Sequence, residues 1–413
     1  MINIRIITNI DLMRIIGRWI HYIKLKFSIQ SHFIGAIKDN FILRTKTLVG
    51  TENIKNIMSY KNFIENKKNY LNNIFPEISF NSQGKISSYT NCNDEYFILQ
   101  NGVGFRDISY KSIMKLEGKD VLDFIHRIST NSIKNLQAGE KNNTLFLNDK
   151  GKIIDRTSFL SFGEYYFLIG SENHKEKLNR WIQRFIINED IKISDLNSDF
   201  SIFEILGPQS ESYLTMICGN EIDKLTENNF IAFNYDAVDF YLIKNVEANQ
   251  IAKYWIISDS NNYESIINIF LKEKSVFDFG LVGIDAYEIF RVENQIAKAP
   301  NELSDEFNPH DLKLIHEVDF SKGCYIGQEI IARQDTYNKI QYTLSNILID
   351  ANGFELPIEL IENNQLLCKI SSVVNSPKHE KILGLALIRN SFLNGEKSFS
   401  FNYKDRKIVC SIL

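Results

Sequence analysis

The chain has 413 residues, with 47 basic and 51 acidic side chains and a formal net charge of −4. Apolar residues make up 44% and charged residues 24%, with 6 prolines, which is the balance of a globular protein and excludes collagen-like, coiled-coil and disordered chains. The length leaves room for two or three domains. Cys92, Cys218, Cys324, Cys368 and Cys410 lie far apart and form no CxxC pair. That pattern argues against a local zinc site and a secreted disulfide framework, and fits a reducing compartment.

Charge is unevenly spread. Residues 1–57 hold nine basic side chains against three acidic ones, so the remainder is the acidic part. Arg14, Arg18, Lys24 and Lys26 interrupt any apolar run of the roughly 18 residues that a membrane-spanning helix needs. Within 12–27, Arg14, Arg18 and His21 share one helical face, and Ile16, Trp19, Ile20 and Ile23 another. This leader has three readings: an organellar transit peptide, a peripheral membrane anchor, or a miscalled start with translation beginning at Met58. Residues 58–102 read as an N-terminal extension.

From 103 onward the pattern mixes α and β. Val121, Phe124, Ile125 and Ile128 have helical spacing, and 144–147 with 152–162 predict a hairpin around Asn148-Asp149-Lys150-Gly151. A helix is expected at 174–187, a strand at 200–206, and a short helix to Cys218. Strands near 238–244 and 253–258, a helix at 263–273 and a segment at 284–294 follow. After about 340 the helical signal stops. Strands at 342–349, 366–374, 381–388, 397–403 and 406–413 predict a small antiparallel barrel. Trp181 and Trp255 sit in apolar runs and are assigned to core packing.

No GxxxxGK[ST] or HExxH motif is present, and the acidic remainder argues against a nucleic-acid surface. One stretch stands out, Lys322-Gly323-Cys324-Tyr325-Ile326-Gly327-Gln328-Glu329-Ile330-Ile331-Ala332-Arg333. Two glycines allow a tight loop around the thiol, and good helix formers follow. A helix N-terminus and Lys322 near Cys324 predict a thiolate-favouring setting.

Lys322 to Glu329 resembles the KGCYxGQE signature of the YgfZ family, folate-binding relatives of the glycine-cleavage T-protein that are similar to factors maturing [4Fe–4S] proteins. Arg333 falls on the same pattern. Gly104-Phe105-Arg106-Asp107-Ile108-Ser109, Ser129-Thr130-Asn131, Leu206-Gly207-Pro208 and Arg291-Val292-Glu293 are similar to segments of the wider superfamily. Residues 148–156 resemble its Gly–x–x–x–Asp–Asp hairpin, with Asp155 at an acidic position and Arg156 in place of the second Asp. The Tyr-Thr-Gly-Glu-Asp-Gly segment, whose Glu binds folate in T-proteins, is missing; Leu-Ile-Lys-Asn-Val-Glu-Ala-Asn-Gln stands there.

The resemblance implies an α+β T-protein-like fold of several subdomains around a central channel, spanning 103–339, with a C-terminal β-barrel at 340–413. It implies tetrahydrofolate or another reduced folate as cofactor, with an iron–sulfur cluster carried transiently and no resident metal. Cys324, Lys322 and Asp155 are the expected catalytic residues; Asp155, Arg291, Glu293, Tyr325, Gln328, Glu329 and Arg333 are the expected folate contacts. The expected function is accessory, in iron–sulfur assembly or repair and in processes that depend on it such as tRNA modification. Its partners would be assembly proteins and [4Fe–4S] client enzymes, in the cytoplasm of a bacterium or the mitochondrial matrix of a eukaryote. The alternative is a tetrahydrofolate-dependent aminomethyltransferase or related one-carbon transferase.

Overall fold

The described residues run from 64 to 413, apart from 173, 338–339, 394 and 396, in a computed structural model. The basic leader expected at 1–57 lies outside them. Two short strands, β1 (Ser79–Phe80) and β2 (Ile86–Ser88), lead into helix α1 (Cys92–Asn101). Asn91 caps α1 by accepting the Asp94 N–H at 2.9 Å, and Asp94 and Glu95 place negative charge in the first turn. Buried Glu95 takes the Tyr89 N–H (2.6 Å), the Thr90 N–H (2.8 Å) and the Gly283 N–H (2.7 Å), which binds this corner to a segment far along the chain.

Strands β3 (Val103–Asp107) and β4 (Ser112–Glu117) precede α2 (Val121–Ile128), and β5 (Lys141–Leu147), β6 (Ile153–Ser161) and β7 (Tyr165–Gly170) precede α3 (Lys175–Gln183). Next come β8 (Lys192–Asp195), β9 (Phe200–Leu206), α4 (Ser210–Cys218), β10 (Phe230–Tyr235), β11 (Val238–Val246), β12 (Ala252–Asp259) and α5 (Tyr263–Lys272). β13 (Phe279–Leu281), α6 (Ile284–Glu293) and α7 (Gln328–Thr336) close the mixed region. The chain ends in β14 (Tyr342–Ile349), β15 (Ile358–Glu362), β16 (Gln365–Ser376), β17 (Lys381–Arg389), β18 (Ser398–Tyr403) and β19 (Arg406–Ile412).

These strands build three larger sheets. The first runs β10-β11-β12-β9-β3-β13, antiparallel except where β13 joins β3. Phe105 stacks between Phe203 (5.1 Å) and Phe270 (5.3 Å) and pins α5 to this sheet. The second runs β5-β6-β7-β4-β8, all antiparallel, and buries the apolar faces of α2 (Phe124, Ile125, Ile128) and α3 (Leu178, Trp181, Ile182). The third, β15-β16-β17-β14-β19-β18, is antiparallel throughout and curls into a nearly closed barrel around Ile347, Ile370, Ile388 and Ile408. Residues 66–413 cluster as one unit.

The hairpin, the strand at 200–206 and the barrel strands stand where the patterning places them. The helix expected to reach 187 ends at Gln183, because the Glu189 carboxylate takes the Ile187 and Asn188 N–H groups (2.8 and 3.1 Å) and offers the backbone an alternative. β1, β2, β7, β8, β10, β13 and β15 have no counterpart in the sequence reading. β7 is buried on nearly its whole length and shows no alternation, whereas β10 and β15 are edge strands.

Candidate functional site

A cavity of about 990 Å³, mouth included, opens where the first two sheets and α6 converge. Arg106 (β3), Glu204 (β9), Asn245 and Glu247 (end of β11), and Lys253 and Trp255 (β12) line one side. Asn143, Arg156, Ser158 and Ser171 line another, and Tyr287, Glu288, Arg291 and Lys298 the third. So many charged groups in an enclosed space require compensation.

Arg156 supplies much of it. Its guanidinium donates to Glu317 through Nε (2.9 Å) and Nη2 (2.6 Å) and to Glu247 through Nη1 (2.7 Å). Lys253 donates to the other Glu247 oxygen at 2.7 Å. Burial alone would raise the Glu247 carboxyl, but Arg156 and Lys253 hold it well below the usual carboxylate range. Lys111 also lines the cavity, its Nζ 4.8 Å from the Trp255 ring centroid, and burial lowers it to about 8.

Asp155 stands apart from this cavity wall. It is fully buried inside the second sheet, where it accepts the Arg156 N–H (2.9 Å) and the Ser171 N–H (3.1 Å) and pairs with His174 Nδ1 (3.1 Å). Successive residues of a strand face opposite ways, so Arg156, not Asp155, turns to the cavity. Arg291 reaches the cavity lining but spends its donors on Glu288 (2.7 Å), Ser372 (2.7 Å) and the Ile296 carbonyl (3.3 Å), with Glu302 at 3.4 Å. Glu293 accepts from Tyr96 (2.7 Å) and Gln100 (3.3 Å), and it borders a second cavity that shares Arg156 and Glu247 with the first.

The cysteine motif forms a separate centre. Asp319 accepts the Ser321 N–H (2.8 Å) and the Lys322 N–H (3.2 Å) and bends the chain into the loop. Lys322 is buried and turns away from Cys324: its ammonium donates to the carbonyls of Ser129 (2.6 Å), Asn131 (3.0 Å) and His126 around the end of α2. Burial lowers Lys322 to about 8. Tyr325 and Ile331 enter the core beside Leu145, Ile153, Leu344 and Leu383. Cys324 is left exposed, whereas Cys368 and Cys410 are buried. α7 starts at Gln328, where the helix formers begin, with Gly327 as its cap, so the thiol stands three residues before the cap. The lysine expected to act on it is corrected, because the Lys322 ammonium is spent on the carbonyls at the end of α2. Gln328 is half-buried, its N–H on the Tyr325 carbonyl at 3.2 Å. Glu329 and Arg333 pair with each other at 2.7 Å on an exposed face, so neither reaches the cavity.

Gly327 has φ +84, and a Cβ there would meet the Asn148 carbonyl oxygen at 2.7 Å and the Gly151 Cα at 3.0 Å. Gly327→Ala is therefore expected to cost about 1–3 kcal/mol in chemical denaturation. An unchanged midpoint would show that the loop does not seat against the hairpin turn.

Sequence reasoning missed Glu247, Glu204, Lys111 and Glu317. Glu247 was visible in Val-Glu-Ala, but the absence of its expected neighbours hid it. The other three carry no local signature, since only pairing of distant strands brings them to one wall.

Set against known proteins, residues 70–322 match the model of the GCVT N-terminal domain. The chain belongs to that family, and so to the glycine-cleavage T-protein superfamily. It is 21% identical to an aminomethyltransferase of Thermosipho melanesiensis, over 75% of this chain and 84% of the relative. It is 23% identical to an aminomethyltransferase of Pseudothermotoga lettingae, over 73% and 82%. The structure of glycine cleavage system aminomethyltransferase T from Bartonella henselae superposes with a TM-score of 0.68 at 14% identity, covering 83% of this chain and 94% of that one. The fold is T-protein-like, as the motif resemblance implied.

Proposed function

We propose that the chain binds a reduced folate in the central cavity and serves as an accessory factor in maturing [4Fe–4S] proteins, with Cys324 as its working group. The observation that carries this reading is the presentation of Cys324: buried Lys322 and Tyr325 anchor the loop on either side, and the thiol between them is exposed. The cavity suits a pterin, because Arg106, Glu204 and Asn245 each hold a buried polar atom with no hydrogen-bond partner among the described residues. A tetrahydrofolate bound there would supply a one-carbon carrier. A cluster would be cargo, and a single cysteine supplies too few ligands alone, so assembly or client proteins would complete the set.

Folate-dependent aminomethyl transfer is the second reading, favoured by the names of the relatives across about three-quarters of the chain. Against it stands Asp155, whose carboxylate is held by Ser171, His174 and the Arg156 N–H away from the cavity lining. Complementation of a strain lacking such a factor separates the two. Wild type is expected to restore [4Fe–4S] enzyme activity, Cys324→Ser to fail, and Asp155→Asn to retain at least half of the rescue. Folate-dependent turnover that survives Cys324→Ser but not Asp155→Asn would replace the accessory reading with the transferase.

A further inference from the structure

The cavity wall is not uniformly satisfied. Glu247 uses one oxygen on Arg156 and the other on Lys253. Glu204 differs: its Oε1 takes the Trp255 Nε1–H at 3.0 Å, while Oε2 is buried and has no hydrogen-bond partner among the described residues. The nearest cation, Arg106 Nε, is 3.6 Å from it, beyond hydrogen-bonding range. Glu204 is 3% exposed, so this oxygen lacks solvent as well. Arg106 Nη1 and Asn245 Nδ2, on the same cavity wall, are unspent donors, and Lys111, over the ring of the same Trp255, has no ion pair among the described residues. The cavity wall therefore holds a free acceptor and free donors, and leaving such groups dry and unpaired is costly.

We propose that Glu204 and Lys111, rather than Glu247, read the ring edge of the folate: the carboxylate accepts from the 2-amino group and N3–H, and the ammonium donates to the C4 carbonyl. The inference rests on the folate reading above and assigns its recognition residues. A 2-amino-4-oxo edge sets two donors beside one acceptor, and the two lone pairs of the free Glu204 Oε2 can take both parallel N–H groups while Oε1 stays on Trp255. Glu247 lacks the free oxygen to do this. Its role is to fix Arg156 and Lys253 in the wall.

The test titrates the full chain with folic acid, with its 4-amino analogue aminopterin, and with 5-formyltetrahydrofolate. The wild type is expected to bind folic acid about tenfold tighter than aminopterin, whose 4-amino donor would face the Lys111 ammonium. Glu204→Gln keeps an acceptor for the Trp255 N–H and is expected to weaken all three ligands about tenfold with an unchanged melting temperature. Lys111→Met is expected to bring the folic acid to aminopterin ratio near one, and it decides the matter should Glu204→Gln fail to fold. Wild-type affinity in Glu204→Gln, with loss in Glu247→Gln, would overturn this assignment and leave folate binding standing. Failure of the wild type to bind any of the three would overturn both.

Discussion

Arg156→Met is expected to lower the unfolding free energy by about 3–5 kcal/mol, the cost of removing one partner from a buried charge cluster. Glu317 and Glu247 would lose their shared cation: Glu317 is 2% exposed, and one of its oxygens already lacks a partner among the described residues. Lys253 would still hold Glu247 at 2.7 Å, so the loss falls hardest on Glu317. Arg156→Asp, which restores the residue type of the superfamily's second Asp, is expected to be worse, since it sets three carboxylates against one another. Both variants should weaken folate binding, because Arg156 walls both cavities. Urea denaturation at pH 7 measures the effect, and a loss below about 1 kcal/mol for Arg156→Met would mean that the cluster does not stabilise the fold.

Arg291→Met should cost a comparable amount, about 3–5 kcal/mol, and should also change the response to acid. Arg291 is 1% exposed and joins α6 to the barrel through Ser372, while Glu302, wholly buried, accepts the Lys298 N–H (3.0 Å) and faces Arg291 at 3.4 Å. Burial alone would raise the Glu288 carboxyl, but Arg291 and Lys298 bring it down to about 2. A carboxyl depressed in the folded state contributes stability above its ordinary value of 4.5, and loses that contribution as pH falls toward 2. Each unit of that window is worth roughly 1.4 kcal/mol for a fully shifted group. Denaturation at pH 7, 5 and 3 should therefore show a shallower acid slope in Arg291→Met than in the wild type. Parallel slopes would remove Arg291 as the cause.

Arg291 also shows how far a local motif reaches. Its place in Arg-Val-Glu suggested a folate contact, yet its donors close a junction between α6 and a strand some 80 positions on, which no spacing within the motif reveals. The KGCYIGQE segment behaves the same way. Its composition marked Cys324 as worth attention, and the thiol does face outward. That Lys322 serves the end of α2 and not the thiol depends on where α2 packs.

What the sequence by itself determined are the properties written in short-range order. The helical spacing of α2, the Asn148–Gly151 turn, the barrel strands and the uncommon cysteine motif all depend on neighbours within about ten residues. Tertiary structure alone decided which charges meet. Arg156 reaches Glu247 and Glu317, and Glu204 and Lys111 meet the same Trp255 with a Glu204 oxygen unspent, because the fold brings segments 50 to 160 residues apart to one wall. A charged side chain has no periodic signature of its own, and its partner is chosen by burial, where an unpaired charge is too costly to leave.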